Sequence, residues 1–321
     1  MPASILSLLT SNDAFLSGQE ISAGLGITRA AVWKKILGLR KKGYAIEAVP
    51  SKGYRLISAP DLAEEYLSLR IRGSLWQELI VHDSVESTND LAMYLASRKG
   101  IPPGTVLIAD RQTRGKGRLG RTWESPGGRN IYMSLVLRPE LAPRDVTMLT
   151  ILAAVAAARA VQKTTDGRVR IKWPNDLVVS DRKLAGILTE VRADPDRINL
   201  AVIGIGVNVN MLSTDFPEEL RSIATSVRLA AGHPVSRNEL IIQMLKDFEH
   251  WYGILMAEGK RPLLDAWRKD SATLGRHVRV TMPDQTLSGV AEDIDDNGML
   301  ILKMRTGECR HISAGDITFP R

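Results

Sequence analysis

Cysteine is nearly absent from this sequence, since Cys309 is the only one among 321 residues. One thiol cannot form an intramolecular disulfide or supply a cysteine-based zinc site. No window approaches the roughly 18 apolar residues that a membrane-spanning helix requires. The first residues also lack the basic, apolar and small-residue pattern of a secretion signal. We therefore expect a soluble, cytoplasmic protein that does not associate with membranes.

Apolar and charged residues are present in ordinary amounts, at 44% and 25% of the chain. These fractions are typical of globular proteins and exclude a largely disordered chain. A length of 321 residues exceeds what one compact core usually holds, so we expect two or three domains. The formal net charge of +7 indicates anionic partners. Basic residues concentrate in 1–58 and 111–129, which predicts two separate anion-binding sites.

The first of these regions has the pattern of a helix-turn-helix. Helical periodicity covers 4–9, 17–25 and 29–42, Gly26 permits a tight turn, and Thr28 is suited to cap the third helix. The third helix has an apolar stripe on one side and basic residues on the other. Two helices joined through a glycine turn, the second one basic, are typical of a DNA-binding domain whose second helix enters the major groove.

A predicted hairpin follows, with strands at 44–49 and 54–56 around the basic turn 50–53. This turn is the expected wing of a winged helix-turn-helix, where a lysine reaches a phosphate beside the helix. A domain this small offers few contacts, so we expect it to bind DNA as a dimer. A three-helix domain with a solvated basic face, or a protein-docking module, remains an alternative. The candidate DNA contacts are Thr28, Arg29, Lys34, Lys35 and Lys52.

Residues 58–60 are a plausible linker. The next 200 residues contain both helix-like and strand-like periodicity, which predicts an α/β or α+β domain. The helix-like stretches are 62–69, 88–98, 151–162 and 238–256, and the strand-like runs are 105–109, 131–137, 177–179 and 200–207.

Residues 112–121 read Gln-Thr-Arg-Gly-Lys-Gly-Arg-Leu-Gly-Arg and formally contain Gly-x-Gly-x-x-Gly. In a dinucleotide-binding fold that motif opens a helix, but the following residues 122–128 are not helix-forming. A P-loop is excluded as well, because no Gly-Lys-Ser/Thr closes the glycine run. The segment is therefore a glycine-rich cationic loop.

Such a loop is costly to order alone, because of its backbone entropy and the repulsion among Arg114, Lys116, Arg118 and Arg121. A polyphosphate or an acyl phosphate would remove the repulsion and supply charge-assisted hydrogen bonds. We therefore expect a loop that is mobile when empty and closes over its ligand. The alternative is a flexible surface loop that binds nucleic acid without specificity.

Four further segments carry polar residues in informative places. Residues 83–89 precede a predicted helix, where the Ser, Thr and Asn side chains are alternatively simple caps. Residues 172–176 read Lys-Trp-Pro-Asn-Asp, and 183–190 begin with a lysine followed by an apolar run. The strand-like segment 203–210 contains two glycines, which permit close approach of a ligand to the backbone.

The five segments, in this order and spacing, resemble biotin–protein ligases. With the N-terminal winged helix the chain is similar, over about residues 4–317, to the bifunctional members that also repress the biotin operon. The resemblance implies an α+β protein with three domains: a winged helix-turn-helix at 1–60, a mixed α/β catalytic domain similar to class II aminoacyl-tRNA synthetases at 61–269, and an SH3-like β-barrel at 270–321. Five short alternating runs after residue 270 agree with the last of these.

The family's activity implies roles for residues of this chain. Biotin and ATP form biotinyl-5′-AMP, and biotin then passes to a lysine of the biotin carboxyl carrier protein of acetyl-CoA carboxylase. By resemblance the catalytic residues are Lys183, Arg118, Arg121 and Lys172. The implied biotin-binding residues are Ser87, Thr88, Asn89, Gln112, Lys116, Gly117, Arg118 and Lys183. The implied ATP-binding residues are Arg118, Arg121, Lys172, Asn175, Asp176 and Asn208.

Several roles stay open at this stage. Asp176 is a candidate ligand for magnesium, a group that orients Lys172, or a turn cap. We expected an aromatic residue to stack on adenine after Asn210, but 211–227 offers only Phe216, so aliphatic groups such as Ile223 are the alternative. No residue is evident as the base that deprotonates the carrier lysine. The resemblance also implies operator DNA as a partner and a homodimer that forms on binding biotinyl-5′-AMP.

Two other functions fit part of the pattern. A DNA-binding regulator that senses a biotinyl ligand without catalysis would not need the cations at 118, 172 and 183. A ligase for lipoate or octanoate would share the catalytic scaffold, but the cationic glycine loop and the Ser-Thr-Asn of 87–89 favour biotin.

Overall fold

The computed structural model describes residues 4–71, 73, 75–98 and 100–320. It divides the chain into two compact units, Met1–Ser74 and Leu75–Arg321. The outermost residues of the predicted terminal domains, 1–3 and 321, lie outside the described residues. The domain boundaries near 60 and 270 remain predictions.

The first unit is a winged helix-turn-helix, as the sequence predicted. Its elements are α1 (Ile5–Thr10), α2 (Gly18–Leu25), α3 (Arg29–Lys41), β1 (Ala45–Val49), β2 (Gly53–Ser58) and α4 (Glu64–Arg70). Helix α2 begins with a reciprocal capping box between Ser17 and Glu20 and ends at Gly26, whose φ of +64° is the left-handed conformation that glycine adopts easily. The Thr28 side chain accepts a hydrogen bond from the Ala31 amide and caps α3.

The wing is attached to the helices through its second strand. Strands β1 and β2 pair antiparallel, and Leu16 exchanges backbone hydrogen bonds of 2.9 and 2.8 Å with Tyr54. Gly53 has a φ of +109°, and a Cβ there would overlap the carbonyl oxygen of Leu16. Helix α4, the helix predicted at 62–69, contacts α1 and lies within this compact unit.

The second unit contains a seven-stranded sheet in the order β3-β4-β5-β9-β8-β7-β6. Strands β3 and β4 pair parallel, and the other described neighbours pair antiparallel. The strands are β3 (Glu78–Val85), β4 (Thr105–Gln112), β5 (Ile131–Leu137), β6 (Arg170–Lys172), β7 (Asp176–Val179), β8 (Arg182–Ala193) and β9 (Ile198–Val207). The helices are α5 (Thr88–Arg98), α6 (Val146–Gln162), α7 (Val227–Ala231), α8 (Arg237–Glu258) and α9 (Arg261–Lys269).

Helices cover the two faces of this sheet differently. Helix α6 packs on the face of Thr189, whose hydroxyl lies 2.7 Å from that of Thr150, and α8 and α9 pack against α6. Helix α5 covers only part of the opposite face, where Ala92 and Ala96 contact Val202 in an apolar cluster. The rest of that face, beside α5, is left for the loops and the site.

Helix α6 corrects one expectation from the sequence. The segment 143–162 is long and apolar enough to cross a membrane, with a mean hydropathy of 1.4, so such a window does exist. In the fold 67% of the window is buried, and α6 contacts the sheet, α8 and α9. Its hydrophobicity is that of a core helix, which is apolar all round because neighbours surround it.

The C-terminal part forms a five-stranded antiparallel sheet in the order β13-β12-β11-β10-β14, in agreement with the five predicted strands. The strands are β10 (His277–Thr281), β11 (Thr286–Ile294), β12 (Leu300–Met304), β13 (Cys309–Ile312) and β14 (Asp316–Thr318). The turn before β12 packs against the segment between β6 and β7, because the Trp173 indole donates a 3.1 Å hydrogen bond to the Gly298 carbonyl. The start of β14 lies beside the cationic loop, since Asp316 forms an ion pair with Arg121.

Candidate active site

A cavity of about 130 Å³ opens on the face of the large sheet that α5 leaves uncovered. Most of the site residues predicted from the sequence line it: Ser87, Thr88, Asn89, Gln112, Lys116, Gly117, Arg118, Arg121, Asn175, Asp176 and Lys183. Lys172 and Asn208 are not among its lining residues. Gly204 and Gly206 of 203–210 line it as well, so residues from all five segments meet at one place.

One end of the cavity is a network of neutral polar side chains at the start of α5. Gln112 Oε1 accepts hydrogen bonds from the Thr88 amide at 2.8 Å and the Thr88 hydroxyl at 3.1 Å. The Ser134 hydroxyl lies 2.8 Å from Thr88 Oγ1 and 2.6 Å from Asn89 Oδ1. Asn89 Nδ2 donates to Glu190 Oε2 at 2.7 Å. These contacts fix the orientation of each amide and hydroxyl.

The hydrogen bonds of this network test the interpretation of Ser87, Thr88 and Asn89 as simple helix caps. Ser87 does have a capping contact, since its hydroxyl accepts a 3.4 Å hydrogen bond from the Asp90 amide. Thr88 and Asn89 instead bond to side chains of β4, β5 and β8, which are remote in sequence. All three are buried at the cavity. Capping therefore explains only the first of them.

Glycines of β8 and β9 form the floor of the cavity, and the Trp123 ring lies on them. A Cβ at Gly206 would be 2.8 Å from the indole nitrogen, and a Cβ at Gly186 would be 3.2 Å from the ring. A Cβ at Gly204 would overlap the Asn89 amide. The two glycines noted in 203–210 thus permit close approach, here by protein side chains. The Trp123 indole nitrogen is buried and has no hydrogen-bond partner among the described residues.

The cationic loop is folded over this floor. The Gly117 amide donates a 2.7 Å hydrogen bond to the Arg121 carbonyl, and Leu119 and Gly120 have left-handed φ angles of +56° and +73°. A Cβ at Gly115 would overlap the Trp123 carbonyl oxygen. Glycine is therefore required at 115 by space and is favoured at 120 by backbone conformation.

Each cation of the loop has an oxygen partner on a neighbouring segment, which offsets the repulsion expected from the sequence. The pairs are Arg114 with Glu86, Lys116 with Asp90 at 2.7 Å, Arg118 with Asn175 at 3.0 Å, and Arg121 with Asp316 of β14. Burial lowers the pKa of the Arg118 guanidinium, which still remains charged at neutral pH. The mobility of the loop when empty stays a prediction.

The other end of the cavity is charged. Lys183 Nζ lies 2.7 Å from Asp176 Oδ1 and 5.4 Å from the centre of the Trp123 ring. Asn175 Nδ2 donates a 2.7 Å hydrogen bond to the Ile187 carbonyl, which leaves its oxygen for Arg118. The ammonium and the guanidinium thus point into one space next to the neutral network.

Lys172 and Asn208 flank the cavity without lining it. Lys172 Nζ lies 5.4 Å from the centre of the Phe319 ring, and burial lowers the pKa of this lysine. Asn208 Nδ2 donates a 3.1 Å hydrogen bond to the Thr225 carbonyl, and the Thr225 amide donates at 2.8 Å to the Lys183 carbonyl. Asn208 therefore holds the segment that positions Lys183.

The described residues contain no group of three or more His, Cys, Asp or Glu side chains arranged to hold a metal ion. Asp176, the candidate magnesium ligand, is in an ion pair with Lys183. The described residues therefore do not provide a metal cage, and an ion beside Asp176 would need further oxygen ligands from a bound ligand or from water.

Sequence reasoning did not single out four residues that the fold brings to the site. Ser134 and Glu190 orient Thr88 and Asn89, Trp123 covers the glycine floor, and Asp316 binds Arg121. A serine in the middle of the apolar run 131–137 was a detectable signal, because a buried hydroxyl requires a partner. Asp316 had no such signal, since its partner is 195 residues away.

The predicted DNA contacts lie on α3 and on the wing of the first unit. The Arg29 guanidinium donates a 3.1 Å hydrogen bond to Gln19 Oε1, and Lys34 and Lys35 are exposed. Lys52 Nζ in the wing turn lies 6.0 Å from the centre of the Phe15 ring. Thr28 serves as the helix cap described above.

Three family models match the chain in order. They are a helix-turn-helix domain over 3–55, the biotin/lipoate A/B protein ligase family over 81–210, and the biotin protein ligase C-terminal domain over 273–319. The chain is 42% identical over 305 residues to the bifunctional ligase/repressor BirA of Bacillus subtilis strain 168, covering 94% of this chain and 93% of that protein. It is 33% identical over 305 residues to the BirA of Escherichia coli K12, covering 94% and 92%.

Among solved structures, a biotin protein ligase from Aquifex aeolicus in complex with biotin and ATP matches with a TM-score of 0.66 and 25% identity, over 77% of this chain and all of that one. The large sheet, its cavity and the C-terminal sheet are thus those of a biotin-activating ligase, and a helix-turn-helix domain precedes them. The chain belongs to the biotin–protein ligase family, among the bifunctional ligase/repressors. The resemblance drawn from the sequence is confirmed.

Proposed function

We propose that this protein makes biotinyl-5′-AMP from biotin and ATP and transfers biotin to a lysine of the biotin carboxyl carrier domain of acetyl-CoA carboxylase. The observation that carries the proposal is the cavity itself, in which a neutral hydrogen-bonding network adjoins the ammonium of Lys183 and the guanidinium of Arg118. An acid with a neutral polar head and a carboxylate at the end of an apolar chain matches that order of groups.

The ureido head of biotin would bind in the network of Ser87, Thr88, Asn89 and Gln112. A urea offers both donors and an acceptor, and pre-oriented amides and hydroxyls match them without reorganisation. The backbone from Lys116 to Arg118 would close over the ring. An analogue lacking the urea would leave these buried groups unpaired, at a cost of about 1–3 kcal/mol for each group.

In the first step a carboxylate oxygen of biotin forms a bond to the α-phosphorus of ATP, and the bond between the α-phosphorus and the bridging oxygen breaks to release pyrophosphate. Two anions must approach, so positioned cations are the main requirement. Lys183 would contact the biotin carboxylate and the α-phosphate, with Arg118 and Arg121 neutralising phosphate charge. Lys172, outside the cavity, would act on the nucleotide from the flank.

In the second step the amine of the carrier lysine attacks the acyl carbon, and the bond to the AMP oxygen breaks. The amine must lose a proton in this step. We assign no base to it, because the described cavity residues offer no free carboxylate or histidine in a clear position for that role.

The nucleotide would extend from Lys183 toward Asn175, Asp176 and the segment held by Asn208. Ile223 in that segment is 58% exposed and hydrogen bonds through its carbonyl to the Lys183 amide. It is our candidate for the face that covers adenine, since Phe216, the aromatic residue of 211–227, is buried at 3% exposure. Magnesium would bind together with the phosphates of ATP, and Asp176, whose carboxylate lines the cavity, would be the protein ligand.

We further propose that the first unit binds operator DNA as part of a homodimer that forms when biotinyl-5′-AMP is bound, and that the protein acts in the cytoplasm without membrane contact. The exposed basic residues Lys34, Lys35 and Lys52 support the DNA partner. Phosphate contacts by such lysines position a recognition helix in the groove.

One experiment separates this function from the two alternatives. Purified protein is mixed with magnesium, labelled ATP, a carrier domain and, in turn, biotin, lipoate or octanoate. Release of labelled pyrophosphate is followed, and the mass of the carrier domain shows whether the acid has been attached (carrier labelling). We expect release and carrier labelling with biotin. Release only with lipoate or octanoate would identify a ligase for another acid, and no release with any acid would leave a non-catalytic regulator.

A further inference from the structure

Trp33 stands out among the tryptophans because its side chain is exposed. It is 59% accessible to solvent, whereas Trp76, Trp173 and Trp267 are at most 5% exposed. An isolated exposed apolar residue is ordinary on a protein surface, but the indole is the largest side chain and is usually at least half buried. Its place on the molecule therefore matters.

Trp33 lies on an exposed flank of the recognition helix α3. Val32 and Ile36 are 1% exposed and point into the core of the first unit. Since each residue advances about 100° around a helix, Trp33 lies about 100° from Val32 and about 60° from Ile36. It is therefore on an exposed flank of the helix, on the same side as Arg29 and Ala30, one turn earlier. The helix begins at Arg29, so Trp33 is in its N-terminal half. That half is the part of a recognition helix that contacts base edges.

The surroundings of Trp33 favour a nucleic-acid partner over a protein or a lipid surface. Lys34 and Lys35 follow it directly and are exposed, and they form no ion pair with the described residues. No acidic residue occurs in α3. An apolar ring within a positive helix face is complementary to a groove whose walls are phosphates and whose floor carries base edges.

The chemistry of indole selects among those edges. Thymine presents a C5-methyl group beside the O4 acceptor in the major groove, and the other bases present no methyl. A tryptophan ring offers an apolar face for the methyl and one N–H donor for the oxygen. Lysine and arginine side chains at the same helix would instead favour phosphate or guanine.

We propose that Trp33 is a base-reading residue of this protein and that it recognises a thymine in each half of the DNA target. The inference rests on the proposed DNA-binding function and specifies which side chain reads sequence and which base it reads. The lysines beside it contribute affinity for any duplex, and Trp33 contributes discrimination.

The test uses the full chain with biotin and ATP present and a randomised duplex of about 40 base pairs, long enough for two half-sites. Wild type, Trp33→Ala, Trp33→Phe and Lys34→Ala are each taken through selection, and the enriched sequences are compared. Trp33→Ala should lose the thymine preference at one position in each half-site, with at least about a tenfold loss of discrimination against a scrambled duplex. Lys34→Ala should weaken binding to all duplexes and lower the salt dependence.

Uracil in place of that thymine removes only the methyl group. The substitution should weaken wild-type and Trp33→Phe binding several-fold and leave Trp33→Ala unaffected, with cooperative thermal unfolding confirming that each variant is folded. The same enriched motif from wild type and Trp33→Ala, or equal sensitivity of both to uracil, would overturn the inference. If wild type enriches no sequence at all, the proposed sequence-specific DNA binding is wrong, and the proposed role of Trp33 is then wrong as well.

Discussion

Lys183 illustrates how single residues acquire a role from their neighbours in this cavity. Its ammonium lies 2.7 Å from Asp176 and over the Trp123 ring, so it is held in place before any ligand arrives. A positioned cation acts without reorganisation when negative charge approaches, which is the main way that a protein assists phosphoryl chemistry.

Replacing this lysine tests the catalytic assignment. Lys183→Ala should reduce biotin-dependent pyrophosphate release by about 100-fold or more, because the cation between carboxylate and phosphate is lost. Lys163→Ala is the matched control, since Lys163 also pairs with an aspartate, Asp247 at 3.2 Å, but lies away from the cavity. Both variants should unfold cooperatively near the wild-type temperature. Wild-type rates in Lys183→Ala would remove this residue from the mechanism.

At the scale of elements, the site depends on close approach between strands and the loop. Trp123 rests on the glycines of β8 and β9, and the loop closes above it. A side chain on either strand at these points would lift the ring and with it the residues that follow the loop.

Gly206→Ala tests the glycine floor. The added methyl would lie 2.8 Å from the Trp123 ring, which must shift at a cost of about 1–3 kcal/mol. We expect a loss of biotin affinity of about 5- to 140-fold by calorimetry, since 1.4 kcal/mol corresponds to about a factor of ten. Gly253→Ala in α8 is the control, because nothing lies within 4 Å of that Cβ position and helix propensity improves. Unchanged biotin affinity in Gly206→Ala would mean that Trp123 has no part in the ligand site.

The ion pair between Arg121 and Asp316 connects the cationic loop to β14. In Asp316→Asn the loop loses one of its anchors, so trypsin should cleave after Arg121 up to about fivefold faster in the ligand-free protein, the range that an exposed ion pair allows. Biotin with ATP should restore protection of 114–121. Asp247→Asn, which frees Lys163 instead, should leave the cleavage pattern of the loop unchanged. Equal cleavage of wild type and Asp316→Asn would show that Asp316 does not hold the loop.

At the scale of the whole molecule, two activities share one chain. The catalytic cavity and the recognition helix lie in different compact units, so any effect of the adenylate on DNA binding must pass through a change in assembly or in the equilibrium between states. A dimer that forms around the adenylate-bound loop would provide such a change.

We expect biotin with ATP to tighten binding to a selected duplex by about 5- to 150-fold, the usual range of coupling between two sites. Fluorescence anisotropy measures the affinity, and sedimentation of the same samples measures dimer formation. Lys183→Ala with biotin and ATP is the control. Sampled within the time that wild type needs to form adenylate, it should show neither change, because its adenylate formation is about 100-fold slower or more. The same duplex affinity with and without the adenylate would separate the two activities.

Much of this architecture could be predicted from local patterns. Ser17, Gly26 and Thr28 set the ends of α2 and α3 through bonds that span only a few residues, and the five strands after residue 270 follow their alternating runs. The cationic loop and the segments at 87–89, 172–176 and 183–190 were recognisable because each carries its chemistry within ten residues.

Tertiary structure alone decided which of these residues share a cavity and what holds them. The resemblance groups Lys172 with Lys183 as catalytic, yet strand pairing places it on the flank beside Phe319. Asp316 reaches Arg121 across 195 residues, and Glu190 reaches Asn89 across 101. Such contacts follow from sheet order and from packing of the C-terminal strands, which depend on the burial of the whole chain rather than on any local preference.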